Sequence, residues 1–270
     1  MKNWTFALLA LPILASWSGT AHADDALQAA IGGSHRTPAF VTRDVWRHPV
    51  ETLRFMGIKP TMTVVEISPG AGWYTEILAP YLRDKGQLIL AASDPASSSE
   101  YSRRSAERLK KKLDALPAVY DKVKTGVFEP PAKLSYAPAG SADMVLTFRN
   151  VHNWAANGDV VTQAVFQSMF DALKPGGVLG VVDHRLPPNR PLDPKFENGY
   201  VHVAYVLRMA QSVGFKLQDQ SEINANPKDS ADHPNGVWAL PPTVANKDKE
   251  RARFEAIGES DRMTLKFVKP

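Results

Sequence analysis

Side chains suited to acid–base chemistry stand directly after two apolar stretches of the sequence. Asp183 and His184 follow residues 178–182 (VLGVV). His152 closely follows residues 143–148 (DMVLTF). If both stretches are parallel strands of one sheet, their carboxyl ends meet at the edge where open α/β sheets bind ligands. We predict that Asp183, His184 and His152 are catalytic, acting as general bases, with a loop or helix-capping histidine as the alternative for His152.

A glycine-rich loop, EISPGAGW, occupies residues 66–73, where a buried strand turns into a helix. Gly70 and Gly72 allow the main chain to approach a ligand closely, and the helix N-terminus offers free N–H groups to an anion. A nicotinamide dinucleotide loop would need a third glycine in place of Thr75, so that cofactor is disfavoured. The loop predicts a binding site, with a plain structural turn as the alternative. Trp73 either packs on the ligand or fastens the helix to the sheet.

Apolar stretches and amphipathic segments alternate along the chain at the spacing typical of β–α–β units. This alternation predicts an α/β fold, with a mostly parallel sheet and helices on both faces. Pro80 should kink or end the helix that begins near Trp73. The predicted strands are residues 61–67, 87–92, 122–128, 143–148, 178–182, 215–223 and 262–268. The other predicted helices are residues 49–57, 100–116, 160–173, 200–213 and 248–257.

The chain of 270 residues suits a single domain, which we predict to span residues 24–270. Residues 24–60 form a helical extension ahead of the first strand. Residues 225–260 form a polar excursion between the last two strands, too long for a structureless connection. We predict that this excursion is a lid over the site; a structural flap capped by asparagine turns is the alternative.

The N-terminus carries the pattern of a secretory signal peptide over residues 1–23. Lys2 precedes an apolar stretch at residues 4–14, and Ala21 and Ala23 are the small residues that a signal peptidase requires. The apolar stretch is shorter than a membrane-spanning helix. We predict cleavage after Ala23, a periplasmic or secreted mature protein, and no stable membrane insertion. An uncleaved anchor helix is the alternative.

The composition excludes several classes of site and partner. The chain has no cysteine, which excludes disulfides, cysteine-ligated metals and thiol nucleophiles. Its 32 basic and 28 acidic residues give a formal net charge of +4, too small an excess for a nucleic-acid-binding surface. We therefore expect a small-molecule partner and no nucleic acid.

Several of these features occur together in one known family. Glu66 ends the first strand before the Gly-x-Gly turn, residues 142–143 (AD) open the fourth strand, and residues 174–177 (KPGG) precede the fifth. Over residues 45–268 the sequence resembles the class I S-adenosylmethionine-dependent methyltransferases. The resemblance implies a Rossmann-like, seven-stranded sheet whose last strand is antiparallel and lies between strands five and six. It also implies S-adenosylmethionine as the cofactor.

A narrower similarity is to a group of secreted bacterial proteins described as predicted methyltransferases. It rests on the stretches GWYTEILAPYL, FRNVHNW, LKPGGVLGVVDHR, EINANPKD and GESDRMTLKFVKP. The cofactor-binding residues that the family resemblance implies are Glu66, Ser68, Gly70, Gly72, Trp73, Asp94 and Asn150. Gly70 and Gly72 would face the methionine half of the cofactor. Ser68 replaces the first glycine of the family's loop, and Ala92 its ribose-binding acid, for which Asp94 is expected to substitute.

The resemblance implies methyl transfer to a small-molecule acceptor. One alternative is an exported, non-catalytic or repurposed ligand-binding protein on the same scaffold. Another keeps the cofactor for chemistry other than methyl transfer. No metal is expected, because the metal-dependent catechol-type members need a second acid after the fourth strand, where this chain has Phe148.

Overall fold

The computed structural model describes residues 18–270, with side chains from residue 24 onward. Residues 1–17 of the predicted signal peptide lie outside this range. The strands are β1 (Thr63–Ile67), β2 (Gln87–Ala92), β3 (Lys124–Val127), β4 (Ala142–Phe148), β5 (Leu173–His184), β6 (Lys216–Ser221) and β7 (Arg262–Val268). The helices are α1 (Ser18–Ile31), α2 (Pro38–Val41), α3 (Asp44–Arg47), α4 (Pro49–Met56), α5 (Thr75–Leu82), α6 (Glu100–Ala115), α7 (Pro117–Tyr120), α8 (Val151–Ala155), α9 (Asp159–Ala172), α10 (Val203–Ser212) and α11 (Arg251–Ile257).

The seven strands form one sheet in the order β3-β2-β1-β4-β5-β7-β6. All neighbours pair in parallel except β7, which runs antiparallel to both β5 and β6. The predicted α/β fold and the position of the antiparallel last strand are therefore confirmed. The strand order reverses between β1 and β4, and this switch point is where open sheets leave a crevice for ligands.

The sheet separates two hydrophobic layers. Along β1, Val65 and Ile67 pack into one layer and Val64 into the other, as the twofold alternation of strand side chains requires. The helical extension covers the second layer, where Leu27 and Ala30 of α1 are buried. None of the helices in the described range is long and apolar enough to span a membrane.

Pro80 neither ends nor interrupts helix α5, which continues to Leu82. Proline cannot donate the hydrogen bond that the carbonyl of Glu76 would receive within the helix. Nε2 of His35, from the N-terminal extension, lies 2.6 Å from that carbonyl oxygen and takes the place of the missing donor. The prediction that Pro80 would end the helix was therefore wrong, because a residue far along the chain satisfies the freed carbonyl, and the alternative of a kink stays a prediction.

Strand β5 begins at Leu173, earlier than predicted. Leu173 pairs with Ala142, the register then shifts across residues 174–177, and pairing resumes between Met144 and Val178. The KPGG sequence thus forms an irregularity within the strand. At the far end, β5 runs on to His184, which pairs with Arg262 of β7.

Candidate functional site

Two cavities meet at the carboxyl edge of β1 and β4. The inner cavity, about 150 Å³, lies between the glycine loop and the N-terminal extension. The outer cavity, about 450 Å³, lies on the side of β2 and β3. Ser68, Pro69, Gly70 and Asn150 line both. A larger cavity of about 970 Å³ opens at the opposite edge of the sheet and contains none of the predicted site residues.

The glycine loop adopts left-handed backbone conformations, with φ of +50° at Ser68, +59° at Gly70 and +80° at Gly72. A Cβ added to Gly70 would meet no atom within 4 Å, whereas one added to Gly72 would lie 3.0 Å from Cδ of Lys112. Gly70 therefore presents bare main chain to both cavities. Gly72 lines neither cavity and an added Cβ there would face helix α6, so of the two glycines Gly70 lines the cavities, and cofactor binding by Gly72 stays a prediction.

Glu66 is buried in the wall of the inner cavity. Its Oε2 accepts a hydrogen bond of 2.7 Å from Oγ1 of Thr75. Burial raises the pKa of Glu66 to about 7, although the bond from Thr75 opposes the rise. A cationic group in the cavity would favour the ionised carboxylate, so Glu66 is suited to binding an ammonium group.

Replacing Glu66 by glutamine should change how stability depends on pH. A carboxyl whose pKa rises on folding stabilises the folded state below its unfolded value, and that contribution is lost as pH rises towards about 7. The free energy of unfolding of wild type should thus fall by about 3 kcal/mol relative to Glu66→Gln between about pH 4 and pH 8. Chemical denaturation across that range measures the difference, with the exposed Glu255→Gln as control. Parallel pH profiles for wild type and Glu66→Gln would contradict the raised pKa.

Asp94 lies beside the outer cavity without lining it. Its carboxylate binds Nζ of Lys133 and accepts a 2.8 Å hydrogen bond from the amide of Ala96. The bond from Lys133 holds the pKa of Asp94 below its usual range. Glu129 instead lines the cavity, and its Oε1 accepts a hydrogen bond of 2.6 Å from Oγ of Ser97. Sequence reasoning missed Glu129 as a site residue, although its place just beyond β3 is the signal that could have identified it.

Asn150 follows β4 at the junction of the two cavities. Its Nδ2 donates hydrogen bonds to the carbonyl of Ile67 (3.1 Å) and to Oγ1 of Thr147 (3.0 Å). These bonds fix the amide between the ends of β1 and β4, at the crevice where the sequence predicted it.

Trp73 fastens the N-terminal extension to the glycine loop. Its Nε1 donates a 3.0 Å hydrogen bond to the carbonyl of Phe40. The guanidinium groups of Arg36 and Arg47 lie 5.1 and 4.7 Å from its ring. Trp73 also lines the inner cavity, so its packing on a ligand stays a prediction, while the contacts seen here join the extension to the glycine loop.

Three arginines surround a single carboxylate beside the inner cavity, and a fourth lies nearby. Glu259 is held by Arg43, by Nε of Arg47 at 3.2 Å and by Nη1 of Arg262 at 2.8 Å. Burial alone would raise the pKa of Glu259, but the charges of these arginines outweigh it and hold the pKa at about 2. Burial lowers the pKa of the nearby Arg149 to about 10. Sequence reasoning missed this cluster, which draws on three distant parts of the chain.

Asp183 and His152 form a hydrogen-bonded pair at the ends of β5 and β4. Oδ1 of Asp183 lies 2.9 Å from Nδ1 of His152, and Oδ2 accepts a 2.6 Å hydrogen bond from the amide of Val151. Since a carboxylate only accepts, Nδ1 of His152 must donate its proton, and Nε2 carries the lone pair. Nε2 is buried and has no hydrogen-bond partner among residues 24–270. These hydrogen bonds orient the His152 ring and leave on Nε2 the lone pair that a general base needs.

His184 lies beside this pair, its ring 5.2 Å from that of His152. Burial lowers the pKa of His184 well below its usual range, and the positive charge of Arg149 adds to the effect. Its Nδ1 forms a hydrogen bond with Oγ of Ser260. The structure therefore brings all three predicted catalytic residues together, with His184 as a neutral neighbour of the base.

The excursion before β7 returns to this site. Trp238, 38% exposed, packs with its ring 5.9 Å from His152, and Ser260 and Glu259 come from its end. By contrast, Asn224 and Asn226 donate their side-chain hydrogen bonds to protein groups. The excursion thus has structural asparagines together with one aromatic side chain at the site.

Ligand atoms of His152, Asp183 and His184 lie within 4.8 Å of one another, a spacing that a metal ion could bridge. However, Oδ1 of Asp183 also accepts a 2.7 Å hydrogen bond from the amide of His184. Both carboxylate oxygens are thus engaged by protein donors. A cation would have to displace these bonds, so the donor set fits an oriented base better than a metal centre.

No protein-family model matches the chain, and no curated protein matches it in sequence. Solved structures do match its fold. A SAM dependent methyltransferase from Aquifex aeolicus aligns with a TM-score of 0.55 at 13% identity, over 92% of this chain and 98% of its own. The cyclase SpnF aligns with a TM-score of 0.55 at 13% identity, over 93% and 95%. The geranyl diphosphate C-methyltransferase from Streptomyces coelicolor A3(2), solved with S-adenosyl-L-homocysteine, aligns with a TM-score of 0.52 at 14% identity, over 90% and 88%.

The chain has the Rossmann-like methyltransferase fold. The matched structures include both methyltransferases and the cyclase SpnF. The fold by itself therefore does not fix the reaction. In this chain the two cavities and the glycine loop lie at the switch point of that fold, and the Asp183–His152 pair lies at the neighbouring ends of β5 and β4 without lining either cavity.

Proposed function

We propose that this protein transfers a methyl group from S-adenosylmethionine to a small-molecule acceptor. The observation that carries the proposal is the bare main chain of Gly70, at the point where the two cavities meet. A nucleoside with an amino-acid tail needs two connected spaces of unequal size and close main-chain approach between them. Both are present at the carboxyl edge of β1.

The residues around Gly70 fit the chemical groups of this cofactor. Glu66 suits the ammonium group in the inner cavity, and Glu129 offers a carboxylate in the outer cavity, where the ribose and base would lie. Asn150 and Ser68 line the junction. When bound, S-adenosylmethionine supplies an electrophilic methyl group on a positively charged sulfur.

His152 is the proposed base. Asp183 fixes the tautomer that leaves a lone pair on Nε2, and this atom can take a proton from an acceptor hydroxyl or amine. Neutral His184 and Trp238 shield the base from bulk water. The pair would thus activate the acceptor, while the cavity walls hold it in line with the methyl group.

The proposal predicts that His152→Gln lowers turnover by about 10²-fold, because a positioned general base contributes at least that much. S-adenosylhomocysteine affinity, measured by calorimetry, should stay near the wild-type value. Turnover is measured as S-adenosylhomocysteine formed from S-adenosylmethionine with an acceptor found by screening. His233→Gln is the matched control, since His233 forms a similar buried pair with Asp229 (2.8 Å), but within the excursion at residues 225–260 rather than at the ends of β4 and β5. Equal losses of affinity and turnover in His152→Gln would indicate a structural role instead.

A second function is favoured by one observation: the match to the cyclase SpnF, which shares the fold. In this second function the chain would bind the cofactor and use it for another reaction. A third function is that of a non-catalytic binding protein on the same scaffold. Calorimetry of the full chain with S-adenosylmethionine and S-adenosylhomocysteine separates these functions from the main proposal. Binding without any methyl transfer would favour other chemistry, and a folded protein that binds neither would favour the binding protein.

We also propose that the protein is exported and belongs with the secreted bacterial group that its sequence resembles. Leu27 and Ala30 pack into the core beyond the predicted cleavage position at Ala23, so removal of residues 1–23 would leave these contacts intact. N-terminal sequencing of the protein from fractionated cells tests this. A chain that starts at Met1 in the cytoplasmic fraction would contradict export.

A further inference from the structure

The inner cavity is unusually rich in buried positive charge. The Arg47 side chain is only 2% exposed, yet Nη1 and Nη2 have no hydrogen-bond partner among the side chains that the structure describes. Nη2 of Arg43 is also buried without a partner there. Arg43, Arg47 and Arg149 all line the cavity. Buried guanidinium groups without acceptors are costly, which points to a ligand that supplies them.

The charges around the cavity do not balance. Three guanidinium groups, those of Arg43, Arg47 and Arg262, share the carboxylate of Glu259, and Arg149 lines the same cavity. The other carboxyl group in the cavity wall is Glu66, and burial raises its pKa to about 7, so it offers little negative charge below that pH. The proposed cofactor cannot correct this imbalance, because its one carboxylate is offset by an ammonium and a sulfonium group. Even with Glu66 ionised opposite the ammonium group, the carboxylate and the sulfonium group of the cofactor cancel, so the excess of guanidinium charge remains.

We propose that the methyl acceptor is an anion whose carboxylate or phosphate group is bound by Arg47 in the inner cavity, with Arg43 and Arg149. This inference rests on the methyl transfer proposed above. The two free Nη atoms of Arg47 form the fork that binds two oxygens of one carboxylate or phosphate. An acceptor of this class neutralises the excess charge and satisfies the unpartnered donors at once.

Two of these arginines lie near the proposed base in the backbone: Arg149 comes three residues before His152, and Arg262 pairs with His184 between β7 and β5. The positive charges of Arg149, Arg262 and Arg47 all contribute to lowering the pKa of His184, which packs against His152. In this proposal the acceptor is anchored by its anionic end at Arg47, and its reacting group is directed to Nε2 of His152. Arg47 then acts as a positioning residue for the acceptor.

The competing interpretation is that Arg47 binds the carboxylate of the cofactor itself. This interpretation predicts that Arg47→Gln lowers the affinity for S-adenosylhomocysteine but not the affinity for 5′-methylthioadenosine, which lacks the amino-acid end. It also predicts that inorganic phosphate or malonate competes with S-adenosylhomocysteine. Our proposal predicts instead that these anions bind to the complex with S-adenosylhomocysteine.

The test is calorimetry of the full chain saturated with S-adenosylhomocysteine, titrated separately with inorganic phosphate and with malonate at constant ionic strength. At least one anion should bind, and the comparison of the two identifies the acceptor's anionic group. Arg47→Gln should lower the affinity for that anion by about tenfold to hundredfold, as expected for lost hydrogen bonds to a charged group. Arg54→Gln, which removes an exposed arginine paired with Asp24, should leave the affinity unchanged. If Arg47→Gln does not fold, Arg149→Gln, whose side chain is half-buried at the same cavity, is tested in its place.

The outcomes are distinct. Binding of S-adenosylhomocysteine without binding of either anion would overturn the anionic acceptor and leave methyl transfer standing. Competition between an anion and S-adenosylhomocysteine, with selective loss of the latter in Arg47→Gln, would also overturn it by assigning Arg47 to the cofactor. Failure of S-adenosylhomocysteine to bind the folded chain would overturn both proposals.

Discussion

Replacing Gly70 by valine is expected to eliminate measurable binding of S-adenosylhomocysteine. A Cβ at Gly70 points into open space where the two cavities meet, so the valine methyl groups would occupy the ligand's volume. The left-handed φ of +59° adds backbone strain of order 1–3 kcal/mol in any non-glycine residue. Calorimetry of the folded variant measures the loss.

Gly140→Val is the matched control for this experiment. Gly140 has nearly the same conformation, with φ of +61°, and an added Cβ there also meets nothing within 4 Å. It lies ahead of β4 and lines the separate cavity of about 970 Å³ at the opposite edge of the sheet, so Gly140→Val has the same strain but leaves both cavities of the candidate site clear. Unchanged affinity in Gly70→Val would contradict the cofactor site, and an equal loss in Gly140→Val would assign the effect to strain.

Replacing Glu259 by glutamine is expected to lower the free energy of unfolding by about 3–5 kcal/mol, as found when one partner of a buried ion pair is removed. Glu259 is the carboxylate that Arg43, Arg47 and Arg262 share, and it is almost fully buried. Without its charge, these guanidinium groups would repel one another in a region from which water is excluded. Chemical denaturation near neutral pH measures the change.

Glu255→Gln is the control, because Glu255 pairs with Arg251 on the exposed face of α11 and should contribute about 0–1 kcal/mol. The pKa of Glu259 is lowered to about 2, so its stabilisation is complete above the ordinary value near 4.5 and is lost as pH falls towards 2. A change below about 1 kcal/mol in Glu259→Gln would show that water or counter-ions already screen the cluster. Restoration of stability by phosphate would agree with the anion site.

The sequence carried most of the information about the fold. The strands β2 and β7 were predicted at their observed bounds, because short apolar runs flanked by turns form buried strands with little ambiguity. The position of β7 came from the family resemblance, since no local pattern states which strands are neighbours. The sequence did not show that helix α5 continues past Pro80. The carbonyl of Glu76, which loses its helical donor at Pro80, is satisfied by His35, 41 residues away in sequence.

For the site, strand ends predicted which residues would meet. Asp183 and His184 end β5 and His152 follows β4, and parallel strands bring such residues to one edge. Asp94 showed the limit of this reasoning, because Lys133 and Ala96 engage its carboxylate and Glu129 lines the cavity instead.

The sequence alone thus determined the order of the elements, the glycine loop and the edge of the sheet at which polar side chains collect, because each follows from local periodicity and chain direction. Only the tertiary structure decided which glycine faces the cavities and how the arginines gather. Arg47, Arg149 and Arg262 come from separate segments and meet around Glu259. Charge and burial depend on distances through space, and those distances exist only once the helical extension and the last strand have packed against the sheet.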